Sequence, residues 1–426
     1  MQVIKQPKKN DWSKLLKRPA LDSSSLEASV SNILKQVKEN GDEALKRFST
    51  IYDKVTVDEL LVSEAEIAEA EKKVSDELKE AINIAKQNIE LFHKKQISAV
   101  EKIETMPGVL CWRKAVAIEK VGLYIPGGTA PLFSTILMLA VPAKIADCKE
   151  IILCTPPGKN GEVNAAILYT AKLAGITKIF KTGGAQAVAA MAYGTASIPQ
   201  VYKIFGPGNQ YVTCAKQLVQ KDGVAIDMPA GPSEVCVMAD ETANASFVAA
   251  DLLSQAEHGV DSQVLLVSTS EQLINEVLVE TEKQLDILPR KEFAEKALEN
   301  SKAILLKSEK EMIELANQYA AEHLIISCKS EEAIAEQIFN AGSVFLGNYS
   351  PESVGDYASG TNHTLPTNGY AKAYSGVSVD SFVKKITYQK LSKEGLQQIG
   401  KAVETMAEAE GLRAHAEAVR KRMQSL

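Results

Sequence analysis

Apolar residues recur at helical spacing through the first quarter of the chain. Val30, Ile33, Leu34 and Val37 fall at i, i+3, i+4 and i+7, and Leu78, Ile82, Ala85, Ile89 and Phe92 lie on one stripe. This spacing predicts helices across residues 20 to about 105. Ser24 and Glu27 offer a capping box for the first of them, and Gly41 is a natural stop. The segment reads as scaffold. His93, in the charged run "LFHKKQ", reads as a surface histidine.

At "VGLYIPGG" (121–128) the period changes, and short apolar runs begin to alternate with helical ones. "IILCTPP", "KIFKTGG" and "KIFGPGN" each precede a helical stretch, with glycine where strand hands over to helix. After "AIDMPAGPSE" a second series follows: "VCVMAD", "QVLLVST", "AILLKS", "LIISCKS" and "SVFLGN". From about 373 the pattern is helical again. The expected class is α/β, with two Rossmann-like parallel-sheet units and helical N- and C-terminal extensions. The expected division is an N-terminal extension (1–20), a first α/β domain (21–123 with 235–372), a second (124–234) and a C-terminal helical segment (373–426).

Composition narrows the function. The chain has 426 residues, 45% of them hydrophobic, and a net charge of −6 without a basic face, which argues against nucleic acid. The longest apolar run is broken by Pro142 and Lys144 and falls short of the ~20 residues a membrane helix needs. The N-terminus lacks a signal-peptide core. Six scattered cysteines form no CxxC pair, so neither a thiolate metal site nor a disulfide framework is expected. No membrane association and a reducing, cytoplasmic location are expected.

The candidate chemistry lies in "LLSQAEHG" and in the segments downstream of it. Gln255 and His258 are one helical turn apart. His258, His323, His363 and His415 each have a carboxylate within seven residues, which suits metal binding or acid–base work. Scattered surface or capping roles explain the same spacing. "GDYASGTNHTLPTNGY" (355–370) is either a plain surface loop or a ligand loop at the C-terminal edge of a sheet. "IPGGTAP", "TGGAQAV" and "FGPGNQY" are tight turns or phosphate cradles at helix N-termini; none is GxGxxG. Cys154 and Cys236 sit in apolar runs and read as buried strand thiols.

Taken together, "AIDMPAGPSEV", "DLLSQAEHG", "AEHL", "GDYASGTNHTLPT", the Glu410/His415 pair, "VGLYIPGGTAPLFST" and "TGGAQAVAAMAYGT" resemble histidinol dehydrogenase, from about residue 10 to 420. The resemblance implies an NAD-dependent zinc enzyme of histidine biosynthesis, oxidising L-histidinol to L-histidine through histidinal and reducing two NAD. It implies one zinc per subunit on Gln255, His258, Asp356 and His415. Acid–base work would fall to Glu322 and His323. Substrate contacts would come from Ser233, His323, His363 and Glu410, with the metal ligands Gln255, His258, Asp356 and His415. NAD contacts would come from Tyr124, Gln186 and Asn209 in the second α/β domain. It implies a homodimer in which the C-terminal segment crosses over, so that Glu410 and His415 complete the partner's site.

The chemistry is consistent with these roles. Histidinol carries an imidazole and an amine, both able to bind a metal, and zinc can expand its coordination. Redox falls to the nicotinamide. Neutral His323 suits removal of the alcohol proton, and Glu322 suits activation of water for the aldehyde step. Two rival readings are a metal-dependent hydrolase using the same Gln/His/Asp/His set and a non-catalytic relative that keeps the fold as a binding module.

Overall fold

The computed structural model describes residues 1–18, 23–127, 131–229 and 231–426. The Ser24 side chain, on which the expected capping box rests, and part of the "IPGGTAP" turn lie outside what is described.

The strands, in chain order, are β1 (Gln2–Lys5), β2 (Lys102–Met106), β3 (Val109–Ala117), β4 (Lys120–Tyr124), β5 (Glu150–Thr155), β6 (Ile179–Lys181) and β7 (Lys203–Phe205). They continue as β8 (Ala225–Ile226), β9 (Glu234–Ala239), β10 (Gln263–Ser268), β11 (Lys302–Leu305), β12 (His323–Ser327), β13 (Ser343–Leu346) and β14 (Val383–Leu391). Two parallel sheets result, of five strands ordered β6-β5-β4-β7-β8 and six ordered β1-β11-β10-β9-β12-β13. Apart from β1, each sheet runs third, second, first, fourth, fifth in chain order, the arrangement of a Rossmann half. The apolar runs read as strands all take their places in these sheets.

Both sheets are covered on both faces, which is why their strands read as continuous apolar runs. On one face of the five-stranded sheet, helices Gly184–Tyr193 and Gln210–Lys221 pack with helix Ser23–Phe48, whose stripe Val30, Ile33, Leu34 and Val37 is buried. Helices Phe133–Ile145, Ala165–Leu173 and Glu64–Lys73 cover the other face. Helices Ala245–Ala256, Glu271–Leu285 and Lys291–Glu299 cover one face of the six-stranded sheet. Trp12, Leu16 and helix Glu309–Tyr319 cover the other.

Several expectations meet a different structure. Residues 23–73 pack on the five-stranded sheet, not with 235–372, and β4 is that sheet's middle strand. The N-terminal stretch is no mere extension, because β1 pairs in parallel with β11 as an edge strand. Gly41 breaks the helical backbone (φ 52°) but the chain resumes as helix to Phe48. Within stretches expected to be helical, β2 and β14 flank β3 in a three-stranded antiparallel sheet. Trp112 and Tyr388 stack across it at 5.4 Å.

His93 is fully buried rather than at the surface. It follows Ile89 by one turn and so continues the apolar stripe of helix Asp76–Lys94. Its Nδ1–H donates to the Ile89 carbonyl at 2.9 Å, and Nε2 accepts from Asn362 at 3.5 Å.

No helix among the described residues is long and apolar enough to cross a membrane.

Candidate active site

A cleft of about 850 Å³ lies where the C-terminal edge of the five-stranded sheet meets the N-terminal edge of the six-stranded sheet. Gly206, Pro207, Gly208, Asn209 and Asp227 line it from the first; Ser233, Glu234, Gln263 and Glu322 line it from the second. His258 and His363 complete this wall.

On the five-stranded side the turn after β7 is held from beneath. Gly206 (φ +127°) approaches so closely that a Cβ there would lie 2.0 Å from the Tyr124 carbonyl oxygen. Asp227 accepts from the Gly206 N–H at 2.8 Å, and buried Lys216, paired with Asp227, donates to the Gly206 carbonyl at 2.9 Å. Asn209 caps helix Gln210–Lys221 through Tyr211 N and Val212 N, at 3.0 and 3.2 Å. Tyr124, at the end of β4, accepts from Gly184 N at 3.2 Å, and burial pushes its phenol up to about 12. Gln186 is buried one turn into helix Gly184–Tyr193.

On the six-stranded side His323 opens β12 and Glu322 immediately precedes it. Glu322 Oε2 accepts from the Glu234 backbone N–H at 3.0 Å. His323 Nε2 donates to Asp356 Oδ1 at 3.1 Å, and Nδ1 faces the Glu234 carbonyl at 3.4 Å. Burial pushes the Glu322 carboxyl up to about 8. Burial alone would lower His323, but Glu322 and Asp356 raise it to about 10. Both ring nitrogens face oxygen acceptors, as a protonated imidazole requires. Glu322 reaches the cleft, and His323 lies directly behind it with 3% of its surface exposed.

Gln255 lies in the last turn of helix Ala245–Ala256, and His258 follows just beyond the helix end. Gln255 is 1% exposed and its Oε1 has no hydrogen-bond partner. Asp356 comes from helix Glu352–Tyr357 rather than from a loop, so "GDYAS" folds in part as a helix. The rest of that segment lines the cleft, between the N-terminal edge of the six-stranded sheet and the C-terminal edge of the five-stranded one. There His363 Nδ1–H donates to the Asp356 carbonyl at 2.8 Å, and Nε2 accepts from the Thr135 hydroxyl at 3.0 Å. This geometry fits a neutral ring, which burial favours by lowering its pKa.

Glu410 and His415 stand apart from this cluster. Both are exposed, at the end of helix Lys393–Ala409 and in helix Arg413–Met423. Among the described residues, no three or more His, Cys, Asp or Glu side chains already converge as a metal cage. Asp356 is turned to His323 here. The donor set nonetheless suits a cation: an unpartnered buried amide oxygen, an adjacent imidazole and a buried carboxylate.

Three contributors escaped the sequence reading. Thr135 orients His363, Glu234 offers its backbone to both Glu322 and His323, and buried Glu352 bonds Ser254 beside Gln255. The signal for Glu234 was an acid opening an otherwise apolar strand; Glu352, in the polar helix ESVGDY, carried none. Cys154 and Cys236 are buried in β5 and β9, and burial pushes both thiols far up.

Residues 16–423 match the family model described as histidinol dehydrogenase. Histidinol dehydrogenase of Bacteroides fragilis (strain YCH46) is 63% identical over 426 residues, covering 100% of both chains. That of Escherichia coli K12 is 52% identical over 415 residues, covering 97% of this chain and 95% of its own. The crystal structure of histidinol dehydrogenase from Elizabethkingia anophelis superposes with a TM-score of 0.98 at 55% identity, covering 100% of this chain and 98% of that one. With the family match, the sequence identity and the fold in agreement over nearly the whole length, the chain belongs to the histidinol dehydrogenase family.

Proposed function

We propose that this chain oxidises L-histidinol to L-histidine in two steps within the cleft, as a zinc-holding homodimer. NAD-dependent oxidation in histidine biosynthesis is the family's activity. The observation that carries the residue assignment is the convergence of Glu322, His258, His363 and Ser233 on one wall, facing Asn209 across the same cavity. Bound zinc would anchor the imidazole and amine of histidinol, and the nicotinamide of NAD would accept hydride in each step. Gln255, His258 and Asp356 would hold the metal, with His415 of the partner subunit as fourth ligand. Tyr124, Gln186 and Asn209 would position NAD on the five-stranded edge.

His323 would take the alcohol proton as the carbinol C–H leaves as hydride, giving histidinal. Metal binding at Asp356 would weaken the carboxylate's hold on the His323 Nε2–H and its raising of the ring's pKa, so that His323 would lose that proton and stand neutral to accept the alcohol's. Glu322 would then take a proton from water as its oxygen adds to the aldehyde carbon. The hydrate loses a second hydride, so each histidine formed reduces two NAD. Ser233, His363 and the partner subunit's Glu410 would bind the substrate's polar groups. Cys214 lines the opposite, five-stranded side of the cleft on helix Gln210–Lys221, and the wall that carries Glu322 and His258 offers no described cysteine for a thiohemiacetal in place of the hydrate.

The dimer is supported by apolar side chains left exposed along the C-terminal helices, including Val403, Met406 and Leu412. Six unpaired cysteines fit a reducing cytoplasm. Following NADH absorbance with zinc-loaded protein and limiting histidinol tests the reading. Two NADH per histidinol are expected; one, or none, overturns it.

A further inference from the structure

The Glu322–His323 pair is held by backbone groups of Glu234, and Glu234 is in turn held by a residue from the far N-terminus. Arg18 closes the segment that begins with β1 and buries Trp12 and Leu16 beneath the six-stranded sheet. Its guanidinium grips the Glu234 carboxylate with two N–H groups, Nε to Oε2 at 2.5 Å and Nη2 to Oε1 at 2.9 Å. Nη2 also donates to the Tyr319 carbonyl at 2.9 Å, and the guanidinium lies 4.1 Å from the Tyr319 ring centroid. Tyr319 ends helix Glu309–Tyr319 and donates from its hydroxyl to Gln263 Oε1 at 3.0 Å.

Both routes from Arg18 lead to the pair. Through Glu234 it fixes the start of β9, whose N–H binds Glu322 and whose carbonyl faces His323 Nδ1. Through Tyr319 it fixes the end of the helix from which Ala320, in the left-handed region (φ 56°), and Ala321 lead directly to Glu322. The Glu234 side chain is 3% exposed. Without Arg18 a buried carboxylate would lose its only cation partner among the described residues and be driven to turn toward the cleft. That motion would drag the amide that holds Glu322. A planar two-pronged grip is an arginine's, not a lysine's.

We propose that Arg18 is a positioning residue for the Glu322–His323 pair, acting through Glu234 and the end of the Tyr319 helix. It rests on the acid–base reading of that pair, and the test separates the two. Steady-state kinetics, zinc content and melting temperature are measured on Arg18→Met, Arg18→Lys, Arg18→Ala and Glu322→Gln. Arg18→Met should lose about 10- to 100-fold in kcat, the scale of a reacting group misplaced by about 1 Å. KM for histidinol and zinc content should stay within about twofold. Arg18→Lys should recover little, while added guanidinium should restore part of the Arg18→Ala rate through the cleft that Arg18 lines.

Full kcat in Arg18→Met overturns the proposal, as does a loss matched by lost zinc and folded protein with no guanidinium rescue. If Arg18→Met does not fold, Glu234→Gln carries the test, with lowered kcat at unchanged KM expected and unchanged kcat overturning it. Unimpaired turnover in Glu322→Gln would instead sink the underlying acid–base reading, whatever Arg18 does.

Discussion

His93 ends an apolar stripe and is uncharged in the folded chain, because burial lowers its pKa below the ordinary 6.5. The unfolded chain takes up a proton near that value; the folded chain does so only at lower pH. The ring therefore contributes stability that is complete above about 6.5 and is lost as pH falls toward its depressed folded value. His93→Gln should cost about 1 kcal/mol near pH 7.5 through weakened bonds to Ile89 and Asn362. Its melting temperature should then approach the wild type's by pH 5. A gap that stays constant across that range would mean the ring titrates alike in both states. The sequence did carry this residue's place: 82, 85, 89 and 93 share one helical face. The lysines that follow masked it. In the same way Gln255 and His258 were legible as a pair, since helix geometry alone puts them together. Thr135 was not, because its meeting with His363 spans 228 positions.

Helix Arg413–Met423 is packed against helix Lys393–Ala409 but leaves His415 in solvent, remote from Gln255 and Asp356 of its own chain. If that histidine completes a metal site on a second copy, His415→Ala should lower zinc occupancy while leaving the melting temperature of the metal-free protein nearly unchanged. Full zinc content in His415→Ala would remove the helix from the site. Elements were legible where their periodicity was local and their faces sharply divided, as in the two βαβ series. They were illegible where neither face is buried. All five residues of β2 are exposed, and β14 is exposed over most of its length. Such strands follow from pairing with β3, over nine positions for β14 and four for β2, rather than from any apolar alternation of their own.

The whole molecule sets the front edge of one sheet against the back edge of another, and only that opposition brings Asn209 across from Glu322. Each sheet's strands are visible in sequence; which edges face each other depends on packing between segments far apart in the chain. Sharing of sites between subunits is testable at this scale. Mixing His258→Ala chains with His415→Ala chains should form hybrids with one intact site and up to half the wild-type activity at saturating zinc. Mixtures as inactive as either parent would show that each chain supplies its own histidine.

The pairing of β1 with β11 also sets a timetable. Gln2–Lys5 leave the ribosome ahead of their partner strand, which follows roughly 300 residues later. At about 5–20 residues per second, that is a wait of about 15–60 s. Through that interval the opening strand has no edge to join, and its two polar end residues, Gln2 and Lys5, discourage other pairings. Arg18 can settle against Glu234 and Tyr319 only once Tyr319 has been made. Residues 2–18 are thus placed only after roughly 300 later residues have been made, and the geometry around Glu322 becomes a mark that synthesis has passed Tyr319.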